Sequence, residues 1–327
     1  MNDISFVLPL KINTNPLGSD LERIKKILLP SLVKYFEVNR IRCFLIIVPS
    51  REYREVCSQL KEFMSILKLS VVPEQKILDM APGWKQHIFL HRVFYVFKEI
   101  DFKFNNGKFF EDTRLKKGWK TLSGWYKQQL LKMFASKLID SEYYMTLDAD
   151  LCLTRPTDVK TLFPDGKAIF TPEIVEAHRD WWVGSSRVLN IELKLKPEDS
   201  VINVTPEILS REVVSRLIDY LMAKARQNKF PTVFEYLATV RPWTEYTLYW
   251  LFLLEFYKME DYYTNQMKVA TLHRYHSVWE RHEAPNMTML REHIHAAFHD
   301  PSALFLVTQS SCVSLIEYCE AIKEYLA

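Results

Sequence analysis

The beginning of the chain alternates between short apolar runs and longer stretches with helical periodicity. Ile4 to Leu10, Cys43 to Val48 and Leu69 to Val72 are almost continuously apolar, as expected for parallel strands covered by helices on both faces. Between these runs, from Leu21 to Tyr35 and from Tyr53 to Leu67, apolar residues recur at helical spacing. The order β-α-β-α-β predicts right-handed crossovers and a mostly parallel sheet, with a ligand site where the strands end.

The rest of the chain continues this alternation. A helix is predicted to begin near Ser123-Gly124 and to lead into an apolar strand that starts at Tyr143. Asn105-Asn106-Gly107 indicates a turn, and Pro49-Ser50 is expected to cap a helix. Further strands are predicted at Lys167 to Thr171, Val201 to Val204 and Ala303 to Thr308, and further helices at Pro206 to Gln227, Thr244 to Tyr257 and Val313 to Leu326. These elements predict an α/β fold, with a mixed, mostly parallel sheet flanked by helices.

Two aspartates, Asp148 and Asp150, follow the apolar strand that begins at Tyr143. Alternate side chains of a strand share a face, so both carboxylates can project together from the carboxyl end of the strand. Oxygen ligands suit Mg²⁺, Mn²⁺ or Ca²⁺, and Mg²⁺ is usually held by carboxylates together with substrate phosphates. The alternative is a simple turn, but Leu151-Cys152-Leu153 follows where Gly, Asn or Ser would be expected. The pair therefore indicates metal-assisted chemistry on a diphosphate.

The composition mainly argues against several classes of protein and partner. The formal net charge is only +3, which argues against a nucleic-acid partner. There are seven glycines, and neither G-x-G-x-x-G nor G-x-x-x-x-G-K-S/T occurs, which disfavours dinucleotide enzymes and P-loop ATPases. Five scattered cysteines without zinc spacing favour a reducing, cytoplasmic compartment. The longest apolar run, Leu248 to Leu254, is shorter than the ~20 residues of a membrane span, so no transmembrane segment is expected.

Four segments of the chain carry a resemblance to a known class of enzymes. They are Gly124 to Lys132, Tyr143 to Pro156, Trp243 to Tyr246 and Phe305 to Ser310. Together with the β-α-β start, these segments resemble the GT-A-fold glycosyltransferases, and most of all a poorly characterised bacterial group with a D-x-D motif.

The resemblance implies a Rossmann-like GT-A fold in a single domain, residues 1–327. It divides the chain into a nucleotide-sugar half, residues 1–156, and an acceptor half, residues 157–327. The implied donor is a nucleotide sugar, with a UDP-sugar favoured, and the implied acceptor is a glycan or a small-molecule hydroxyl. The implied cofactor is Mn²⁺ or Mg²⁺, bound by the D-x-D acids and gripping the donor diphosphate.

The resemblance also implies the metal ligands. Asp150 would bind the cation directly, and Asp148 would contact the ribose or reach the cation directly or through water. Related enzymes often complete the site with a C-terminal histidine, but this chain has Thr308-Gln309-Ser310 at the matching place. Gln309 and His276 are therefore the candidates for a third ligand.

Further roles concern the donor and the acceptor. Gln128, Gln129 and Lys132 lie close together on a helix and could present amide and ammonium donors to sugar hydroxyls or phosphate, although a solvated helix face is the alternative. Glu245 would be the general base of an inverting enzyme or would position the acceptor of a retaining one, although a carboxylate in a first helical turn is also simply stabilising. The first strand would end at the donor base, ribose and phosphate, with the candidate residues Leu8, Pro9 and Lys11. Aromatic candidates for the acceptor cleft are Trp181, Trp182, Trp243 and Tyr246.

Three other functions are compatible with parts of the pattern. A nucleotidyltransferase of similar fold would release pyrophosphate, whereas a glycosyltransferase releases a nucleoside diphosphate. A non-catalytic nucleotide-sugar-binding module would keep the fold without the chemistry. A haloacid-dehalogenase-type phosphatase also has a D-x-D strand end, but there Gly-Thr usually follows, and here Leu151-Cys152 follows at mid-chain.

Overall fold

The computed structural model describes residues 3–12, 16–80, 122–202, 204–264, 271–273 and 276–327. Its strands are β1 (Ile4–Pro9), β2 (Ile41–Val48), β3 (Leu69–Pro73), β4 (Tyr143–Thr146), β5 (Leu151–Leu153), β6 (Glu173–Ile174), β7 (Ser200–Val201), β8 (Glu207–Ser210), β9 (Thr271–His273) and β10 (Ala303–Val307). Its α-helices are α1 (Asp20–Arg23), α2 (Leu29–Tyr35), α3 (Tyr53–Gln59), α4 (Lys61–Ile66), α5 (Glu74–Leu78), α6 (Gly124–Phe134), α7 (Val159–Leu162), α8 (Arg179–Leu189), α9 (Arg211–Gln227), α10 (Val233–Thr239), α11 (Glu245–Phe256), α12 (Met287–His299) and α13 (Leu315–Leu326).

The main sheet has five strands in the order β3-β2-β1-β4-β8. The first four are parallel, and β8 runs antiparallel to β4. Every residue of the central strand β1 is buried, which explains why its sequence is a continuous apolar run rather than an alternating one. Because β1 and β4 are parallel neighbours, their carboxyl ends, at Pro9 and Thr146, lie at the same edge of the sheet.

A second sheet, in the order β5-β10-β9, adjoins this edge. Strand β10 is antiparallel to β5 and parallel to β9. The short segment between β4 and β5 connects the two sheets and is hydrogen-bonded at both ends. The Leu147 amide donates to the Val7 carbonyl over 2.8 Å, and the Thr308 amide donates to the Asp150 carbonyl over 3.0 Å. The backbone of the D-x-D segment is thus anchored in both sheets.

The predicted α/β class and most predicted elements are confirmed. Strands β1, β2, β3, β4 and β10 and helices α6, α11 and α13 lie where the apolar patterns place them. The predicted helix starts near Ser123 and Thr244 are confirmed, and the side chains of these two residues accept the amides of Tyr126 and Thr247. The predicted cap at Pro49-Ser50 is wrong: α3 begins at Tyr53 and no side chain caps it.

Two predicted elements differ from the structure: one strand does not form in the described residues, and one helix starts later than predicted. Within the described residues, Lys167 to Thr171 is not a strand, because only Ala168 pairs, in an isolated bridge to Tyr263. The helix predicted from Pro206 begins only at Arg211, because Glu207–Ser210 forms strand β8 and Ser210 then caps the helix. The predicted strand at Val201 to Val204 overlaps the two-residue strand β7 only at Val201. The predicted turn at Asn105-Asn106-Gly107 lies outside the described residues.

The predicted halves, residues 1–156 and 157–327, remain a prediction. Strands from the second half, β8 and β10, pair with β4 and β5 of the first half.

All five cysteine thiols are free. Among the helices of the described ranges, none is both long enough and apolar enough to cross a membrane.

Helix α11 runs through the interior and packs against α8. The hydroxyl groups of Ser185 and Thr247 lie 2.6 Å apart at this contact. The neighbouring Gly184 allows the close approach, because a Cβ added there would lie 1.5 Å from the Pro242 carbonyl oxygen. The absence of a side chain at Gly184 is therefore required by the packing of α8.

Gly184→Ala is expected to lower the free energy of unfolding by about 3 kcal/mol, despite the better helix propensity of alanine, because the backbone at Pro242 must move. Gly124→Ala is the matched control, since nothing lies within 4 Å of a Cβ at that helical glycine. Denaturant unfolding of both variants checks the expectation. Equal stability of the two variants would contradict it.

Candidate functional site

A cavity of about 760 Å³ opens at the carboxyl ends of β1 and β4. Its lining brings together side chains that are distant in sequence: from α6, from the segment between β4 and β5, from the start of α11 and from the segment after β10. The sequence-predicted residues in this lining are Pro9, Gln128, Gln129, Lys132, Asp148, Asp150, Glu245 and Gln309.

Asp148 and Asp150 reach the cavity from a turn, not from the strand itself, because β4 ends at Thr146. The side chain of Asp148 is 36% exposed, whereas Asp150 is 8% exposed and accepts the Ser310 amide on Oδ2 over 3.3 Å. Burial, followed by the nearby charge of Asp148, raises the pKa of Asp150 to about 7. The turn therefore concentrates negative charge at a place where burial already disfavours it.

Helix α6 presents one stripe of side chains to the cavity. Trp125, Gln128, Gln129 and Lys132 are spaced i, i+3, i+4 and i+7, which places them on one face, and all four line the cavity. Ser123 caps the helix. The predicted cluster of amides and an ammonium therefore faces the cavity.

Lys132 is buried, with 3% of its side chain exposed, and bridges two acids. Its Nζ lies 2.9 Å from Asp148 Oδ1, 3.2 Å from Glu245 Oε1 and 2.9 Å from Thr205 Oγ1. Burial alone would lower the pKa of Lys132, but the charge of Asp148, with Tyr246 and Glu245, raises it well above the usual value. The ammonium thus has three protein oxygens within 3.2 Å, and it donates a hydrogen bond to Thr205 Oγ1. Lys132 ties α6 to the aspartate turn and to α11.

Glu245 is the first residue of α11, and its side chain is fully buried. Its amide donates to Gln129 Oε1 over 3.0 Å. Burial raises the pKa of its carboxyl group, and Lys132 opposes this effect. A fully buried carboxylate paired with Lys132 is better placed to orient that lysine than to take a proton from an acceptor.

Three of the predicted site residues, Leu8, Lys11 and His276, are outside the cavity lining. The Leu8 side chain is fully buried in the core, and Lys11 is exposed and outside the cavity lining. His276 Nε2 lies 3.0 Å from Asp300 Oδ2 and is also outside the lining, whereas Gln309 is part of it. The geometry thus favours Gln309 over His276 as the third ligand beside the aspartates.

Two of the four predicted aromatic residues, Trp182 and Trp243, are outside the cavity lining, and a third, Tyr246, lines it with little exposed surface. Trp182 and Trp243 are fully buried, and Trp243 donates its indole N–H to the Leu237 carbonyl over 2.8 Å. Tyr246 is 3% exposed, and its hydroxyl lies 2.7 Å from the hydroxyls of both Thr146 and Thr205. Trp181 does line the cavity.

Residues 1–327 match the family of unknown function DUF6492. The chain belongs to this family. No curated protein matches it.

Among solved structures, this DUF6492 protein is similar to mouse xyloside xylosyltransferase 1, with 12% identity and a TM-score of 0.47 over 93% of this chain and 97% of that one. It is also similar to the glycosyltransferase GlyE of Streptococcus pneumoniae, with 10% identity and a TM-score of 0.40 over 99% and 60% of the two chains. For the mannosyltransferase Ktr4p of S. cerevisiae the values are 13% and 0.38 over 77% and 65%.

The donor set of this DUF6492 protein fits a hard divalent cation. In the described ranges, no three His, Cys, Asp or Glu side chains form a group able to hold a metal ion. Two carboxylates, the Gln309 amide and the Ser310 hydroxyl nevertheless line one cavity, and Mg²⁺ typically takes one or two carboxylates and completes its shell with water and phosphate oxygens. A cation there would also offset the charge that Asp148 and Asp150 concentrate.

Sequence reasoning missed the acids Asp20 and Glu173, which line the cavity, and the buried Arg23 beside it. Arg23 is fully buried, and its guanidinium donates to the carbonyls of Leu17, Ser310 and Val313. It therefore holds the segment whose Ser310 amide binds Asp150. No sequence signal marks this role, because Arg23 lies in an ordinary amphipathic helix pattern.

Proposed function

We propose that this protein is a glycosyltransferase that uses Mg²⁺ or Mn²⁺ and a nucleotide-sugar donor, with a UDP-sugar favoured, to glycosylate a hydroxyl acceptor. The observation that carries the proposal is the convergence of Asp148, Asp150, Lys132 and Gln309 on one cavity. That cavity lies at the carboxyl edge of a parallel sheet, where α/β folds bind ligands.

The reaction forms a bond from the acceptor oxygen to the anomeric carbon and breaks the bond from that carbon to the diphosphate. The acceptor proton is released, and the nucleoside diphosphate leaves. Negative charge grows on the diphosphate, and a divalent cation held by Asp150 and Asp148 supplies Lewis-acid stabilisation of this charge.

The chain's own residues bind and position the reactants. Gln128 and Gln129 face the cavity from α6, so they supply amide groups to the donor, although the Gln129 carbonyl already accepts the Glu245 amide. Lys132 holds Asp148 in place rather than binding phosphate directly, because its buried ammonium already lies within 3.2 Å of Asp148, Glu245 and Thr205. Glu245 acts as a positioning residue through Lys132.

The test is a thermal-shift panel of UDP, GDP, dTDP and CDP, each with and without Mn²⁺. We expect UDP to stabilise the protein only when Mn²⁺ is present. A ligand at ~100 times its dissociation constant adds about 2.7 kcal/mol to the free energy of unfolding, which is readily measured. A positive nucleotide then defines the donors to be assayed for turnover.

The products separate the proposal from its alternatives. Release of a nucleoside diphosphate supports glycosyl transfer, and release of pyrophosphate identifies a nucleotidyltransferase. Nucleotide binding without any release of product identifies a non-catalytic module. If no nucleotide stabilises the protein with Mn²⁺ or Mg²⁺, the proposal is wrong.

A further inference from the structure

Part of the cavity lining is aromatic. Trp125, His178, Trp181 and Trp279 line the same cavity as the acids. The imidazole of His178 is stacked on the indole of Trp181, with 4.1 Å between ring centroids and 7° between ring planes. The indole of Trp125 lies 5.7 Å from that of Trp181 at 36°. We call Trp125, His178 and Trp181 the aromatic wall.

The aromatic wall differs from the core tryptophans in exposure. Trp182, Trp243 and Trp250 are at most 1% exposed, whereas Trp125 is 40% exposed. Large apolar rings left in contact with water cost free energy, and adjacent ones commonly mark a binding surface. Core packing thus explains the three buried rings but leaves the adjacent rings of Trp125 and Trp181 unexplained.

The two helices that carry the wall fix its position relative to the acids. Trp125 lies on the same stripe of α6 as Lys132, two turns earlier, and Lys132 contacts Asp148. Trp181 lies in the first turn of α8, and His178 immediately precedes that helix. The wall is therefore built on regular structure and shares its supporting helix with the proposed donor site.

The polar groups at the wall distinguish between classes of ligand. Glu173 lines the cavity, and its Oε2 lies 3.8 Å from His178 Nε2. Burial lowers the pKa of His178, which favours the neutral imidazole. A carboxylate beside neutral rings repels a phosphate but accepts hydrogen bonds from hydroxyl groups. A ligand with one apolar face and a hydroxylated edge fits both features.

We infer that the aromatic wall is a sugar-binding subsite for the acceptor, with a pyranose ring against Trp125 and Trp181 and its hydroxyls near Glu173. The acceptor of the enzyme is then a glycan or glycoside. This inference rests on the proposed function, because a bound sugar is an acceptor only if the protein is a glycosyltransferase. The binding of the sugar itself needs no donor. A nucleobase could also stack on these rings, although the acidic edge disfavours a nucleotide.

The test is saturation-transfer NMR with methyl glycosides of glucose, galactose, mannose, xylose and N-acetylglucosamine, and with their disaccharides, in the absence of nucleotide. We expect at least one of these sugars to bind the wild-type protein. Its affinity should fall about tenfold in Trp181→Ala and in Trp125→Ala. It should be largely retained in Trp181→Phe, which keeps a ring, and in Tyr53→Ala, which removes an aromatic residue of similar exposure (38%) outside the cavity.

Each outcome decides the inference separately from the proposed function. Loss of sugar binding in the two alanine variants, with the Mn²⁺-dependent nucleotide shift preserved, supports the subsite and shows that the variants are folded. If wild type binds a nucleotide but none of these sugars, or if Trp181→Ala binds them equally well, the subsite does not exist. If uridine instead loses affinity in Trp181→Ala, the wall holds the donor base. If sugars bind but no nucleotide does, the proposed function fails and the subsite stands.

Discussion

Lys132→Met is expected to lower the free energy of unfolding by about 3–5 kcal/mol. The substitution keeps the length of the side chain but removes the charge that Asp148 and the fully buried Glu245 share. An unpaired buried carboxylate must either stay ionised at high cost or take up a proton. Denaturant unfolding monitored by circular dichroism measures the loss.

The pH dependence distinguishes charge from packing. Burial already raises the pKa of Glu245, and Lys132 opposes this shift, so the pKa should rise further in the variant. A group whose pKa is raised on folding contributes a stability that is lost as pH rises above the unfolded value. The defect of Lys132→Met should therefore be larger at about pH 8 than at about pH 5. The second change Glu245→Gln should restore part of the stability at the higher pH, and a defect that does not vary with pH would point to packing alone.

Asp150→Asn is expected to reduce turnover at least about 100-fold and to abolish Mn²⁺-dependent stabilisation by nucleotide. The amide oxygen still accepts the Ser310 amide, so the local geometry is kept. The ionised form of Asp150 is disfavoured by burial and by Asp148. Without a bound cation, the neutral variant should therefore be at least as stable as wild type near pH 8, which excludes misfolding as the cause of inactivity.

A surface aspartate supplies the control for this experiment. Asp140 is 63% exposed and pairs with Arg42, so Asp140→Asn should change stability by no more than about 1 kcal/mol and leave turnover unchanged. If Asp150→Asn kept normal turnover, Asp150 would not be a ligand of an essential cation.

The parallel strands could be predicted because a strand buried on both faces has a recognisable, continuously apolar sequence. A strand covered on both faces must be apolar throughout, and the runs that became β1, β2 and β3 have this character. Strand β8 was hidden because Glu207–Ser210 directly precedes the long periodicity of α9, and Pro206 resembles a helix start. Lys167 to Thr171 has the apolar character of a strand, but among the residues that the structure describes only Ala168 has a pairing partner.

The sequence could predict which residues line the site, but it could not predict the contacts between them. Local spacing was sufficient to select Asp148 and Asp150 and, on α6, Gln128, Gln129 and Lys132, since each set depends on residues a few positions apart. The ion pairs of Lys132 connect three separate elements, and no local pattern specifies such contacts. The burial of Trp182 beside the half-buried wall residue Trp181 depends in the same way on which face of α8 meets α11.

The anchoring of the aspartate turn in two sheets has a consequence for local unfolding. Two hydrogen bonds hold opposite ends of this turn. The Leu147 amide donates to Val7 in β1, and the Thr308 amide, at the end of β10, donates to Asp150. A ligand that binds both aspartates should suppress the breaking of both hydrogen bonds, because the loss of either one would displace a carboxylate. Amide hydrogen exchange should therefore slow at Leu147 and Thr308 together, as a single cooperative unit spanning two sheets that share no strand.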